Sequence, residues 1–119
     1  MTLIDRERLL KPVPVPIEDV PVPELGKGAT VRLRGMTAGQ RTRFEQQFVS
    51  NTGKQRNTQT LRERLLIQCV IGEDAEPMLT PDDIVAIGQQ SSVVIERLVN
   101  VAMRLCGMSN NDVESLAGN

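Results

Sequence analysis

The stretch KPVPVPIEDVPVPELGKGATVRLRG, Lys11 to Gly35, decides how the chain begins to fold. Proline alternates with valine at 12–16, the pattern breaks at Ile17-Glu18-Asp19, and Pro-Val-Pro returns at 21–23. A flexible linker has no reason to hold Val13, Val15, Ile17, Val20 and Val22 in alternation, and a groove-binding proline ligand repeats every three residues rather than two. In a strand, residues two apart share an edge, so each Pro-x-Pro run removes backbone donors from one edge and leaves the other able to pair. The stretch therefore reads as a strand with one protected edge. Gly26-Lys27-Gly28 is a turn signal, and ATVRLRG alternates again, with Ala29, Val31 and Leu33 on one face and Thr30, Arg32 and Arg34 on the other. Glu18–Pro23 and Ala29–Arg34 are expected to form an antiparallel hairpin, which needs a helix over its apolar face.

Working outward, residues 1–11 read as a loose polar start, and 1–16 as a flexible or extended arm ahead of a single domain at 17–119. Beyond Met36 the punctuation is helical. Thr37–Gln40 is a capping-box pattern opening a helix with Phe44 and Phe48 on one face and Arg41/Glu45 four apart. Asn51–Asn57 is a polar loop. Thr60–Glu63 reads as a second capping box, for a helix through Val70 stopped at Gly72. Thr80-Pro81-Asp82-Asp83 opens a short helix ending near Gly88. Ser91-Ser92 caps a long helix through Cys106 that Gly107 stops, and Ser109 or Asn111 caps a last short one. The fold class expected is α+β, mainly α: an N-terminal extended arm and β-hairpin, then about four to five helices in one compact domain.

Composition narrows function. The chain has 119 residues, enough for one domain with a core and too few for two ordinary ones. It contains no His, which removes the commonest general base and metal ligand. Cys69 and Cys106 lie in apolar helical runs, without the spacing of a zinc site, and read as buried reduced thiols. The acidic residues Glu73, Asp74, Glu76, Asp82 and Asp83 lack the spacing of a calcium loop and read as caps and a solvated loop. Gly-Lys-Gly is no phosphate loop, and Gln89–Ser92 has no nucleophile setting. The expectation is a non-enzyme with no cofactor and no metal. No apolar run approaches a membrane span and nothing looks like a signal peptide, so a soluble intracellular protein is expected.

Charge is divided along the chain. Residues 1–64 carry 12 basic and 7 acidic side chains, a balance of +5; residues 65–119 carry 2 and 8, a balance of −6. The basic residues are scattered, with no aromatics between them for base stacking, so nucleic acid is not the expected partner. Opposed halves can instead draw copies together head to tail. The long helix is over-apolar: only Glu96, Arg97, Asn100 and Arg104 are polar between Val93 and Cys106. Either it runs through the domain centre, or another copy or partner covers one face. The candidate partner or self-association surface comprises Val13, Val15, Ile17, Val94, Leu98, Val101 and Leu105.

In order and character the segments resemble the tail assembly chaperones of long, non-contractile-tailed (siphovirus-type) bacteriophages. The resemblance runs through VPELGKGATVRLRGMTAGQRTRFEQQF, RERLLIQCVIGEDAEPMLTPDDIVAIG and VVIERLVNVAMRLCGMSNNDVESLAGN, over about residues 17–119. It departs at Cys106, where the family often has Asn, and at Leu79, where it often has Phe. The resemblance implies a protein that binds the tape measure protein, keeps it soluble and helps recruit tail tube protein. It also implies self-association, action in the cytoplasm of the bacterial host, absence from the mature virion, and a longer form made by ribosomal frameshifting. Two other readings stay open: a small virion structural protein of the head–tail connector type, and a small DNA-binding regulator using Gln40, Arg41 and Arg43.

Overall fold

Strand β1 (Ile17–Pro21) and strand β2 (Thr30–Arg34) form the antiparallel hairpin, with Val20 opposite Val31 and Asp19 opposite Arg32. These come from a computed structural model that describes residues 1–49, 52–54 and 56–116. The strands begin or end a residue or two from where the sequence places them, because Pro23–Leu25 winds into a 3-10 turn. Leu33, Val20 and Val22 are buried on the inner face, while Asp19 and Arg32 pair outside.

The one-edge reading of the prolines needs correction. Val22 donates to the Ala29 carbonyl and Gly35 to the Pro16 carbonyl, so even-numbered residues of the first strand face β2. Pro12, Pro14 and Pro16 thus share the inner parity, whereas Pro21 has the outer one. The two runs lie on opposite edges because the Ile-Glu-Asp-Val insert shifts the count from even to odd. Pro16 can accept from Gly35 but cannot donate back, and the ladder stops there. Pro21 sits where no ladder donor is lost.

Ahead of the sheet, Arg6–Leu10 form a short helix, α1, where the sequence reads as a loose start. Asp5 caps it by accepting from the Arg8 amide at 2.9 Å. Every residue from 1 to 16 is exposed except the half-buried Val15. The radius of gyration, 15.9 Å, exceeds the roughly 13 to 14 Å of a compact chain of this length.

Helix α2 (Ala38–Gln46) starts with the expected reciprocal capping box between Thr37 and Gln40. It carries Phe44, whose ring meets Phe48 edge-on at 5.1 Å, both fully buried. Such a pair adds about 0.5–1.5 kcal/mol beyond its burial. The loop that follows is more than a polar connection. Arg56 and Asn57 donate to the Gln46 and Gln47 carbonyls and so close the C-terminal end of α2. Asn57 takes the left-handed φ of 59° to do so. Within the expected loop, Asn51 and Gln55 lie outside the described residues, as do Ser50 before it and 117–119 at the chain's end.

Helix α3 (Leu61–Cys69) does not use the expected Thr60–Glu63 box. A 3-10 turn at Thr58–Thr60 leads into it, and the Thr60 hydroxyl donates to the Asn57 carbonyl instead. The helix also ends before Val70. Val70 and Ile71 form strand β3, opposite Leu33 and Arg32, giving a three-stranded antiparallel sheet in the order β1-β2-β3. The edge of β2 away from β1 needs a partner, and two β-branched residues ahead of Gly72 supply it.

Thr80 and Asp83 cap each other around a 3-10 turn that runs into α4 (Ile84–Gly88). Helix α5 (Ser92–Leu105) packs on α3 and across β1 and β2. Its expected cap is only positional: Ser91 makes no side-chain cap bond. Its end is a Schellman turn, with Met108 donating to Met103, Gly107 to Arg104, and Gly107 at φ 69°. Helix α6 (Asn110–Leu116) is capped by Ser109, in exchange with Asp112. The fold is α+β and mainly helical, as the sequence reads, with five helices after the hairpin among the described residues.

Candidate interaction surface

Helix α5 is the element on which the surface is built, and it resolves part of the apolar excess. Val94 and Leu98 are 1% and 5% exposed, and Val99 and Ala102 are buried with them. The helix crosses the domain centre, against α3 on one side and the hairpin on another. Val94 and Leu98 therefore leave the candidate surface: their side chains fill the chain's own core. Val101 and Leu105 are half-buried against that core. Val13 and Ile17 are exposed and Val15 is half-buried. Val13, Val15 and Ile17 belong to the arm and the start of β1, and Val101 and Leu105 to α5, whose C-terminal end lies beside Pro16.

The polar stripe of α5 is occupied too. Arg97 donates to both Glu24 oxygens at 2.8 and 2.6 Å, and Arg104 to both Glu18 oxygens at 2.9 Å. Glu96 pairs with Arg62 of α3 at 3.4 Å. The only two basic residues of 65–119 are thus used to hold the hairpin onto α5. Arg97 and the Glu24 backbone amide hold the Glu24 carboxyl down at about 2. Asp19 is lowered by its fork with Arg32, directly across the ladder. Asp112 is lowered chiefly by the Ser109 amide and hydroxyl, and less by Arg41.

The acidic residues at 73–83 take no part in these pairings, although Arg32 lies beside Glu73 on the outer face of the hairpin. Among the described residues, none of Glu73, Asp74, Glu76, Asp82 and Asp83 lies in an ion pair. Beside them a groove of about 300 Å³ opens between β2, α3, α4 and α5. Its floor includes Val31, Leu66, Ile87 and Ile95, and its mouth carries Leu25 and Met78, both largely exposed. The sequence reading missed this groove, since it forms from four separate segments. It also passed over Leu9 and Leu10, 75% and 59% exposed on α1, although an adjacent leucine pair amid charged residues was visible.

Cys69 and Cys106 are free and buried, with sulfurs 3.6 Å apart. The shared hydrogen bond and burial raise Cys69, while Cys69, the Met36 backbone and Arg41 lower Cys106. Among the described residues no group of three His, Cys, Asp or Glu could hold a metal ion, and no helix is long and apolar enough to cross a membrane. The helix at Thr37 makes a poor DNA reader: Gln40 is spent on its cap, and Arg41 on Glu45, Asp112 and the Gly107 carbonyl.

The chain is an α+β domain with an apolar groove and an exposed N-terminal arm. Among solved structures it is similar to the bacteriophage HK97 tail assembly chaperone, with a TM-score of 0.54 and 26% sequence identity. The match covers 76% of this chain and 84% of that one. No protein-family model matches the chain, and no curated protein matches it. The resemblance to siphophage tail assembly chaperones read from the sequence is thus carried by a solved structure, and this similarity supports a tail assembly chaperone role.

Proposed function

We propose that this chain is a non-catalytic phage tail assembly chaperone that binds the tape measure protein, keeps it soluble and assists recruitment of tail tube protein. The observation that carries the reading is the structural match to a tail assembly chaperone across most of both chains. Exposed apolar residues on the arm and at the groove mouth suit a protein whose work is contact. In this reading the chain self-associates, acts in the host cytoplasm and leaves before the virion is complete.

The test is co-expression with the tape measure protein of a long-tailed phage. The expected result is a larger soluble fraction of that protein and its co-purification with this chain. An unchanged soluble fraction would remove the chaperone reading. Mass spectrometry of purified particles separates it from a head–tail connector: the chaperone is absent, the connector present in stoichiometric amount.

A further inference from the structure

The chain has two cysteines, 37 positions apart, and the fold brings them together. Cys69 is the last residue of α3, and Cys106 directly follows the last residue of α5. Their sulfurs share a hydrogen bond at 3.6 Å, and both thiols are free. Among the described residues no third ligand completes a metal site around them. Two thiols in contact, without a metal to hold, are a nucleophile and a resolving group in position.

The surroundings of the two sulfurs are unequal. Cys69 is sealed from solvent, whereas Cys106 keeps a narrow opening. Arg41 stands on the Cys106 side, donating to the adjacent Gly107 carbonyl at 3.4 Å, and its charge and the Met36 backbone favour the Cys106 thiolate. A thiolate beside positive charge with a path to solvent is the setting of a reactive cysteine. Both residues also stand at helix ends. A disulfide needs the sulfurs at about 2.05 Å, and side-chain rotation with a small shift of a terminal turn closes that gap more readily than movement of a helix middle.

We propose that Cys106 is a site of oxidation by peroxide and that Cys69 resolves it, closing an intramolecular disulfide between the ends of α3 and α5. The Cys106 sulfur attacks one peroxide oxygen and the O–O bond breaks. Cys106 becomes a sulfenic acid, and the departing hydroxide leaves as water with the Cys106 proton. The Cys69 sulfur then attacks the Cys106 sulfur, the S–O bond breaks, and the second hydroxide leaves as water with the Cys69 proton. Two electrons pass from the sulfurs to the peroxide. In a reducing compartment the pair rests as thiols, and a dithiol reductant reverses the link. Leu66 of α3 and Val94, Ile95 and Leu98 of α5 line the groove, so the link fixes two of its walls against each other. The inference does not depend on the chaperone reading.

The test treats the folded full chain with hydrogen peroxide and maps its peptides without reduction. Met78, 60% exposed, serves as an internal gauge of dose through its sulfoxide. The parent is expected to yield one linked peptide pair joining Cys69 to Cys106 before Met78 is half converted. The linked chain should melt at least about 5 °C above the reduced one, and dithiothreitol should remove the difference. Cys69→Ala should leave Cys106 as a sulfenic acid that dimedone captures, and Cys106→Ala should leave Cys69 a free thiol at the same dose. Circular dichroism checks that both variants fold; the mapping of the parent decides the link without them. Cysteines still free when Met78 is fully converted overturn the proposal. So does a link that forms only in urea, or one between chains instead of within one. Dimedone captured at Cys69 in the Cys106→Ala variant overturns the assigned order.

Discussion

Gly35 and Leu105 meet backbone to backbone: a Cβ added at Gly35 would stand 2.5 Å from the Leu105 carbonyl oxygen and 3.3 Å from Pro16. This contact brings the end of β2, the C-terminal end of α5 and the root of the arm to one point. Gly35→Ala must push the hairpin off α5, since the obstacle is backbone and cannot rotate away. We predict a loss of about 1–3 kcal/mol, read by urea unfolding. A variant as stable as the parent would show that the contact has slack.

The placement of α5 separates two sets of residues first grouped together. Leu98→Ala should cost about 2–5 kcal/mol, the range for emptying a core leucine site. Val13→Ala and Ile17→Ala, at exposed positions, should stay within about 0.5 kcal/mol of the parent. Thermal unfolding of the three variants side by side checks the division, and a mild Leu98→Ala would contradict the central position of the helix.

The Arg97–Glu24 pair gives a pH signature. Glu24 is lowered from 4.5 to about 2 in the folded chain, so the pair contributes stability above about 4.5 that is lost as pH falls towards 2. Arg97→Gln should melt below the parent at neutral pH. The gap between them should narrow steadily from about pH 4.5 downwards and close near 2. A gap that is constant across this window would assign the effect of Arg97 to packing of its stem rather than to its charge.

The two thiols should react in order. Cys69 is fully buried and raised, while Cys106 is slightly exposed and lowered, so alkylation of the native protein should be slow and should label Cys106 first. Peptide mapping after brief treatment with iodoacetamide reads the order. Equal labelling of both would mean that the reagent reaches them through unfolding.

What was legible in the sequence was local. The Thr37–Gln40 box, the Thr80 cap, the Gly107 stop and the alternation of Val31 with Arg32 need only neighbours within a few residues, and all appear as read. What was not legible depends on distant partners. Val70 and Ile71 pass for the end of a helix until the free edge of β2 is placed beside them. Thr60 has the residue type of a cap, but the preceding 3-10 turn takes its hydroxyl. Val94 and Leu98 left the candidate surface for the same reason. An apolar helix looks identical from sequence whether its own hairpin or another copy covers it, and the burial of Val94 and Leu98, with the pairing of Arg97 and Arg104 to Glu24 and Glu18, shows which. The proline parity was readable from numbering alone, since 16 and 21 differ in it.

The Pro-Val run between α1 and β1 has a mechanical consequence. Alternating prolines restrict an extended segment to few conformations, advancing about 3 Å per residue. Lys11–Pro16 therefore acts as a short stiff boom instead of a tether, holding Leu9 and Leu10 some 15–20 Å out from its root. A flexible glycine linker of equal length would let the leucines sweep back across the body and would lose more entropy on capture. With a boom, the separation of whatever bodies it bridges is set in advance by the count of prolines.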